Sequence, residues 1–514
     1  MAFFPKDFKV DKGKAERFLS ILLLLIILGG ILLRLVLFFQ NRNLIIDEAN
    51  IVRNLSERGF EDLTLPLKYE QYAPPVFLWM EKLSSILFGY GEKAMRLYPL
   101  LCGIGALIAF YKVATKLFIK AAIWLPLAFF AFGNIFIKYS AELKQYVPDA
   151  FIAMLLLLAA LSWDMRKMRP WRFVALWILV GSLAIWASMP SVFLLVGVAA
   201  YYAWPLLKER NFKGLLPLIL IGLCWLVQFA FYYETILKPQ INSPYLQNYH
   251  HDYFLYALPK NGIEWLHNWD RIVELLGNIG GFSGVSIVTS LILILVGSFI
   301  LLFKNIRRFF LIALPVLLVL LAAALKQFSL IDRVVLFAMP VAMLLLAAGF
   351  EFLWKLAMPL RILLTLVGCF MIYAYNGFWL LRTPLKFHEI TEGMTWLRDV
   401  KHAKGSQLFI HDANVPTYIY YTELHPQKAR WASLVGAHRL TWDTDYTQLT
   451  KNWKDTAYFL YTGGFPDGER NKRTKEIEQN MRQIDYFEKY VCFVYEYVPK
   501  TTQDSTVKSG TTPN

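Results

Sequence analysis

The chain has 514 residues, 57% of them hydrophobic, 16% aromatic and only 18% charged, with a formal net charge of +15. A soluble domain is about 45–50% apolar and about 25% charged, and here the apolar excess is gathered into runs of about 20 residues, the length that crosses a bilayer. That excludes a soluble enzyme, a fibrous protein and a disordered chain. The charge also argues against a nucleic-acid partner: from Leu385 onward 17 Lys and Arg face 16 Asp and Glu, so the basic excess lies in the apolar part.

Lys6, Lys9, Lys12, Lys14 and Arg17 precede a first apolar run from Phe18 to Phe39. That run is too long for a cleaved signal peptide, and no small-residue cleavage site follows, so it reads as an uncleaved first span. Further spans are predicted at 95–118, 121–139, 145–163, 173–189, 191–207, 214–233, 284–303, 309–325, 334–354 and 359–380, eleven in all. Alternate loops carry the Lys and Arg clusters, among them Arg166/Lys167/Arg169/Arg172 and Lys304/Arg307/Arg308. By the positive-inside rule those loops and the N-terminus are cytoplasmic. An odd number of spans puts the tail outside. Three outside segments are long: 45–93, 234–283 and the tail. The tail alternates short apolar strands (Gln407–Ile410, Ala457–Tyr461, Val491–Tyr497) with helix-like stretches such as Thr474–Arg482, and reads as a small α/β domain. The expected organisation is a membrane domain over 1–384, an outer domain over 385–500 and a disordered polar end over 501–514. Cys102, Cys224, Cys369 and Cys492 have no metal spacing and read as buried, unreactive residues.

Asp47-Glu48-Ala49 stands where the first span exits. A carboxylate at the membrane interface loses hydration, which raises its pKa and its value as a base. The structural alternative is an acidic helix N-terminus facing the helix dipole. Next comes Glu142-Leu-Lys144-Gln145-Tyr146-Val-Pro148-Asp149; if helical, Glu142, Gln145/Tyr146 and Asp149 share one stripe, with Pro148 in a first turn. Ionisable groups at the mouth of a membrane bundle face protein or a watery cavity; the alternative is a solvated loop. Asp332-Arg333 precedes a later span on the outside, against the charge trend. A phosphate at the bilayer surface suits a planar bidentate donor there, and the alternative is a snorkelling arginine paired with Asp332. Arg34, inside the first span, reads as snorkelling. Val76–Leu87, after Tyr72-Ala73-Pro74-Pro75, is too short and too charged to span and reads as interfacial. His250-His251-Asp252 reads as a loop, and Tyr461-Thr462-Gly463-Gly464 as a turn, since it lacks nucleotide-loop spacing.

Taken together, Asp47-Glu48-Ala49, Tyr69-x-Gln71-Tyr72-x-Pro74-Pro75, Ala94-Met-Arg96-Leu-Tyr-Pro, Glu142-Leu-Lys144-Gln-Tyr146-x-x-Asp149 and Asp332-Arg333-Val-Val-Leu-Phe-Ala-Met-Pro340 resemble the GT-C membrane glycosyltransferases. The likeness is to bacterial members of the glycosyltransferase family 39 and aminoarabinose-transferase-like group, good over 40–160 and weaker to about 380. It implies a polytopic α-helical fold with a C-terminal periplasmic α/β domain, in the cytoplasmic membrane of a bacterium. It also implies a polyprenyl-phosphate-linked sugar donor and a lipid, glycan or protein acceptor on the outer side. Asp47 matches the catalytic base; Glu48 would support it or share a divalent metal, and Glu142 matches the acidic residue of the second loop. Lys144 and Arg333 match contacts to the donor phosphate, and Tyr72, Tyr146 and Asp149 fall where substrate binds. Relatives carry a basic residue just before the Pro-Pro pair; here it is Ala73, so that phosphate contact must come from elsewhere, with Lys68 and Lys144 as candidates. A lipid or solute transporter is the alternative, but no internal repeat is present and the charges cluster at one face.

Overall fold

The structure, a computed structural model, describes residues 12–241, 243–280, 284–374, 385–386 and 388–500. It divides into two compact units. One comprises Met1–Phe39, Phe60–Glu81 and Arg96–Thr383; the other comprises Gln40–Gly59, Lys82–Met95 and Pro384–Asn514. The expected boundary near 384 kept the whole of 45–93 with the membrane part. The contacts instead group 40–59 and 82–95 with the tail.

The first unit is a helical bundle. Among the described residues, eight helices are long and apolar enough to cross a membrane, beginning with Gly13–Gln40 and ending with Ala338–Leu356. Three shorter apolar helices, Lys120–Phe132, Tyr146–Ser162 and Met358–Tyr373, fall where the remaining three spans were expected. Residues 375–380 of the last expected span lie outside the described residues. Without a hydrophobic drive between helices in lipid, close backbone packing holds spans together. Helices Gly284–Lys304 and Ala338–Leu356 show it: a Cβ at Gly297 would stand 2.0 Å from the Leu345 carbonyl oxygen, and one at Gly349 2.0 Å from that of Leu293.

The expected span 121–139 is broken. Helix Lys120–Phe132 stops at Gly133, whose backbone is extended, and Asn134–Tyr139 continues as a short helix. The break frees carbonyls that no longer have an i+4 donor. Arg34 supplies the donors. Its guanidinium gives hydrogen bonds to the Ala131 carbonyl at 2.9 Å, the Phe130 carbonyl at 3.1 Å and the Gly30 carbonyl at 2.9 Å, and it is 0% exposed. The snorkelling reading of Arg34 is therefore corrected: the charge turns inward because a helix end needs it.

The second unit is built on a five-stranded sheet in the order β2-β1-β3-β5-β4. β1 (Leu408–His411) pairs in parallel with β2 (His438–Leu440) and β3 (Ala457–Thr462); β5 (Cys492–Pro499) runs antiparallel to β3 and to β4 (Met481–Lys489). Phe409, Phe459 and Tyr461 pack on one face with Tyr446 and Ile477 from the crossing helices. β2 and β4 were not expected, and the helix expected over 474–482 is Asp467–Ile477, with β4 beginning at Met481. Helix Ile46–Glu57 belongs to this unit. The backbone N–H of Asn43 donates to Glu389 at 3.2 Å, and that of Leu44 to the Tyr421 hydroxyl at 3.3 Å. The Tyr421 hydroxyl donates in turn to Glu92 at 2.8 Å. Four cysteines are free; Cys102 and Cys492 are buried as expected, but Cys369 is exposed on the outer surface of its apolar helix.

Candidate active-site residues

In the bundle, the turn Ser140–Gln145 joins Asn134–Tyr139 to Tyr146–Ser162. Glu142 therefore lies in a turn rather than on a helical stripe with Asp149, while Pro148 does sit in the first turn of the following helix. The whole segment from Ser140 to Ala150 is buried, with Glu142 2% and Lys144 5% exposed. Burying a charge costs several kcal/mol unless it is compensated. Lys144 Nζ donates to Gln71 Oε1 at 2.8 Å, and the Gln145 amide donates to the Tyr72 carbonyl at 3.3 Å. These two bonds bring the Tyr69–Pro75 and Glu142–Asp149 runs side by side. Tyr69 and Glu70 have φ of +65° and +51°, a left-handed pair that side chains rarely adopt and that reverses the chain just before Gln71. Beyond it the Tyr72 and Tyr232 hydroxyls lie 2.5 Å apart. Lys68 is exposed and Ala73 is buried. Asp149 is buried, and among the described residues its Oδ1 has no hydrogen-bond partner.

Arg333 reaches the same region. Its guanidinium carbon lies 5.9 Å from the centre of the Tyr146 ring and 5.7 Å from that of Tyr249. It donates to the Tyr249 hydroxyl at 2.7 Å. The Asp332 carboxylate accepts from the Arg333 backbone N–H at 2.6 Å. His250 shares a hydrogen bond with Ser329 at 2.7 Å, and burial, then the Arg333 charge, hold its pKa below the ordinary 6.5. In the sequence His250 reads as a loop residue, and Tyr249 and Ser329 carry no mark. The aromatic run Tyr249–Tyr253 was the available signal.

In the second unit, Asp47 and Glu48 occupy the first turn of helix Ile46–Glu57. Glu48 accepts from the Ile45 backbone N–H at 3.0 Å and from Arg42 at 2.8 Å, and it is fully buried. The helix-start alternative describes Glu48 well: one carboxylate caps the helix and neutralises Arg42. Asp47 is half-buried. Glu92, which no sequence motif marks, is also a buried acid; burial pushes its carboxyl up, but hydrogen bonds from His425 and Tyr421 outweigh this and hold it below its ordinary value. Among the described residues no three His, Cys, Asp or Glu side chains gather as a metal site.

The structure thus describes a polytopic α-helical membrane protein with a C-terminal α/β unit, carrying buried charge at the ends of its apolar helices. No family model and no curated relative matches the sequence. Among solved structures, the chain is similar to ArnT from Cupriavidus metallidurans bound to undecaprenyl phosphate, at 12% identity over 95% of this chain and 98% of that one, with a TM-score of 0.49. It is similar to the apo state of the same protein at 14% identity over 90% and 96%, with a TM-score of 0.36. To the Archaeoglobus fulgidus oligosaccharyltransferase in the apo form the identity is 12% over 92% and 74%, with a TM-score of 0.46. At such identities and scores, any functional reading rests on the residues themselves.

Proposed function

We propose that this chain is a GT-C-type glycosyltransferase that takes a sugar from a polyprenyl-phosphate donor and transfers it, with inversion, to an acceptor hydroxyl at the outer face of a bacterial cytoplasmic membrane. The observation that carries the reading is the position of Lys144. Relatives in the resembled group hold a cation just before the Pro-Pro pair; here that position is the buried Ala73, and Lys144 arrives from another loop to lie 2.8 Å from Gln71 in the same run.

The chemistry asks for two things. As the acceptor oxygen attacks the anomeric carbon, a base must take its proton. As the carbon–oxygen bond to phosphate breaks, the bonding pair leaves with the phosphate, whose growing charge needs cations. A positioned base contributes about 10²–10⁴-fold, and cations preorganised at the leaving oxygen add to it. Asp47 is assigned as the base on the resemblance and on its neighbour's commitment: Glu48 is already bound to Arg42 and to the helix start. Lys144 and Arg333 are assigned to the leaving phosphate, and Glu142, Tyr72, Tyr146 and Asp149 to the sugar and acceptor. The prenyl chain has apolar helices to lie against.

The test is a titration of undecaprenyl phosphate against purified wild type, Lys144→Ala and Arg333→Ala in lipid nanodiscs. Each alanine should weaken binding about tenfold or more, in line with loss of a charge-assisted contact of about 1.5–3 kcal/mol. Unchanged affinity in Lys144→Ala, with the fold intact, would remove the observation on which the reading stands.

A further inference from the structure

The segment between helices Phe212–Tyr232 and Gly284–Lys304 carries a helix that the proposed reaction does not use. Helix Gly262–Gly280 is amphipathic. Trp265, Leu266, Trp269, Ile272, Val273 and Leu276 fall at offsets of 0, 1, 4, 7, 8 and 11, which is one face. Glu264, His267, Asn268, Arg271 and Glu274 occupy the other. The apolar stripe has two fates. Its C-terminal end is buried, with Leu276 and Ile279 at 5% and 6% exposure. Its N-terminal end is open: Trp265 is 64%, Leu266 58% and Trp269 49% exposed, and Leu258 just before the helix is 83% exposed.

Hydrogen bonds fix the level of that open end. Asn268 holds both backbone groups of Tyr256, accepting from its N–H and donating to its carbonyl, each at 2.9 Å. His267 bonds the Phe254 carbonyl at 2.9 Å. Between these two, the Leu255 N–H donates to the Ala323 carbonyl at 3.3 Å, in the last turn of the membrane-length helix Ile306–Ala324. The N-terminal half of the amphipathic helix is therefore tied, two bonds away, to the end of a span. Its far end, Gly280, is four positions before Gly284, where the next membrane-length helix begins. A helix of this length is about 28 Å long. Its N-terminal half is thus held at the level of a span end, while its C-terminal end packs on the next span, where a Cβ at Gly280 would stand 1.7 Å from Ser290 Oγ.

We propose that the face formed by Leu258, Trp265, Leu266 and Trp269 docks into the lipid headgroup layer, so that the N-terminal half of this helix sits at the membrane interface. Indole suits that layer, since its ring is apolar and its N–H can reach water, and aromatic belts collect there. Amphipathic helices bind such interfaces with their apolar face down. The polar face, turned from the lipid, is the one that grips residues 254–256. The Leu330 N–H donates to the Tyr253 carbonyl at 2.9 Å, so the docked helix also sets the level of the Arg333 loop.

The test uses the full chain in lipid nanodiscs and compares wild type with the double variant Trp265→Phe/Trp269→Phe, which keeps the apolar face. The difference between their tryptophan emissions reports these two indoles. Lipids brominated near the headgroup should quench the difference signal by half or more, lipids brominated near the chain ends should quench it less, and aqueous iodide should have little effect. Strong iodide quenching without quenching by either lipid would place the face in water and overturn the proposal. Protection from all three quenchers would show that protein, such as a second copy of the chain, covers it, and would overturn it equally.

Discussion

Arg42 and Glu48 form an ion pair at 2.8 Å in which the two side chains are 3% and 0% exposed. Glu48 also accepts the Ile45 backbone N–H. The two adjacent acids of Asp47-Glu48 are thus different in kind, and substitution should separate them. Removing one partner of a buried pair leaves an uncompensated charge and costs about 3–5 kcal/mol. Glu48→Gln should therefore lower the thermal midpoint of the purified protein clearly.

Asp47→Asn, by contrast, should leave the melting curve close to wild type and reduce sugar transfer by at least about 10²-fold. Activity and thermal denaturation measured on the same preparations give both readouts. Wild-type turnover in Asp47→Asn would rule out Asp47 as the base.

Arg333 binds the Tyr249 hydroxyl and lies near two aromatic rings. Lysine keeps the charge but loses the planar fork. Arg333→Lys should therefore bind polyprenyl phosphate weakly, nearer to Arg333→Ala than to wild type. Tyr249→Phe should weaken binding less than either, about two- to tenfold for the loss of one hydrogen bond worth about 0.5–1.5 kcal/mol. Equal donor affinity in all three variants would make Arg333 an interfacial anchor and nothing more.

Arg34→Met removes three hydrogen bonds to backbone carbonyls while roughly keeping the side-chain volume. Bonds to charged groups are worth about 1.5–3 kcal/mol each, and their buried acceptors are left unpaired. The variant should lose several degrees or more in thermal midpoint in detergent. A midpoint equal to wild type would show that the helix break at Gly133 satisfies its carbonyls another way.

His411 lies between Trp442 and Phe465, with ring centres 4.3 and 4.5 Å away, and its Nδ1 accepts the Ala413 N–H at 3.1 Å. Burial, then the charge of Arg473, bring its pKa down from 6.5 to about 4. The unfolded chain therefore binds this proton more readily than the folded one. The resulting stability is fully present above about pH 6.5 and is lost as the pH falls toward 4. Melting curves between those values should show wild type losing more stability than His411→Phe. Parallel curves for the two proteins would mean that His411 does not titrate as its surroundings imply.

Long apolar runs made the spans legible, because a bilayer imposes one length on every helix. What they concealed was where a span breaks. In the apolar run 121–139 Gly133-Asn134 hints at a stop, a weak signal inside so long a run, and Arg34, which answers the break, is far away in the chain. In the α/β unit, β1, β3 and β5 are buried apolar runs and were visible. β4 was not, since apart from Met481 it is largely exposed and its polar residues read equally well as a helix. The grouping of helix Ile46–Glu57 with the tail depends on contacts such as Leu44 to Tyr421, across more than 370 positions, which no local pattern encodes. Among the candidate site residues, the Lys144–Gln71 pairing joins two runs that the sequence flagged separately. Tyr249 and Ser329 carried no such flag, because an aromatic hydroxyl and a serine are ordinary residues in any loop.

The Arg34 bonds also bear on how the chain is made. Its two partners on the later helix, Phe130 and Ala131, lie 96 and 97 positions downstream. At a synthesis rate of about 5–20 residues per second they emerge roughly 5–20 s after Arg34 does. Until then the first helix holds a guanidinium without that helix end, near the outer end of its apolar run, where a charge costs less than the about 2.5–3.5 kcal/mol of a helix centre on translocon scales. The partners that bury this charge are therefore complete only once the third apolar segment arrives. When the first helix emerges, two of the carbonyls that will hold its charge have yet to be translated.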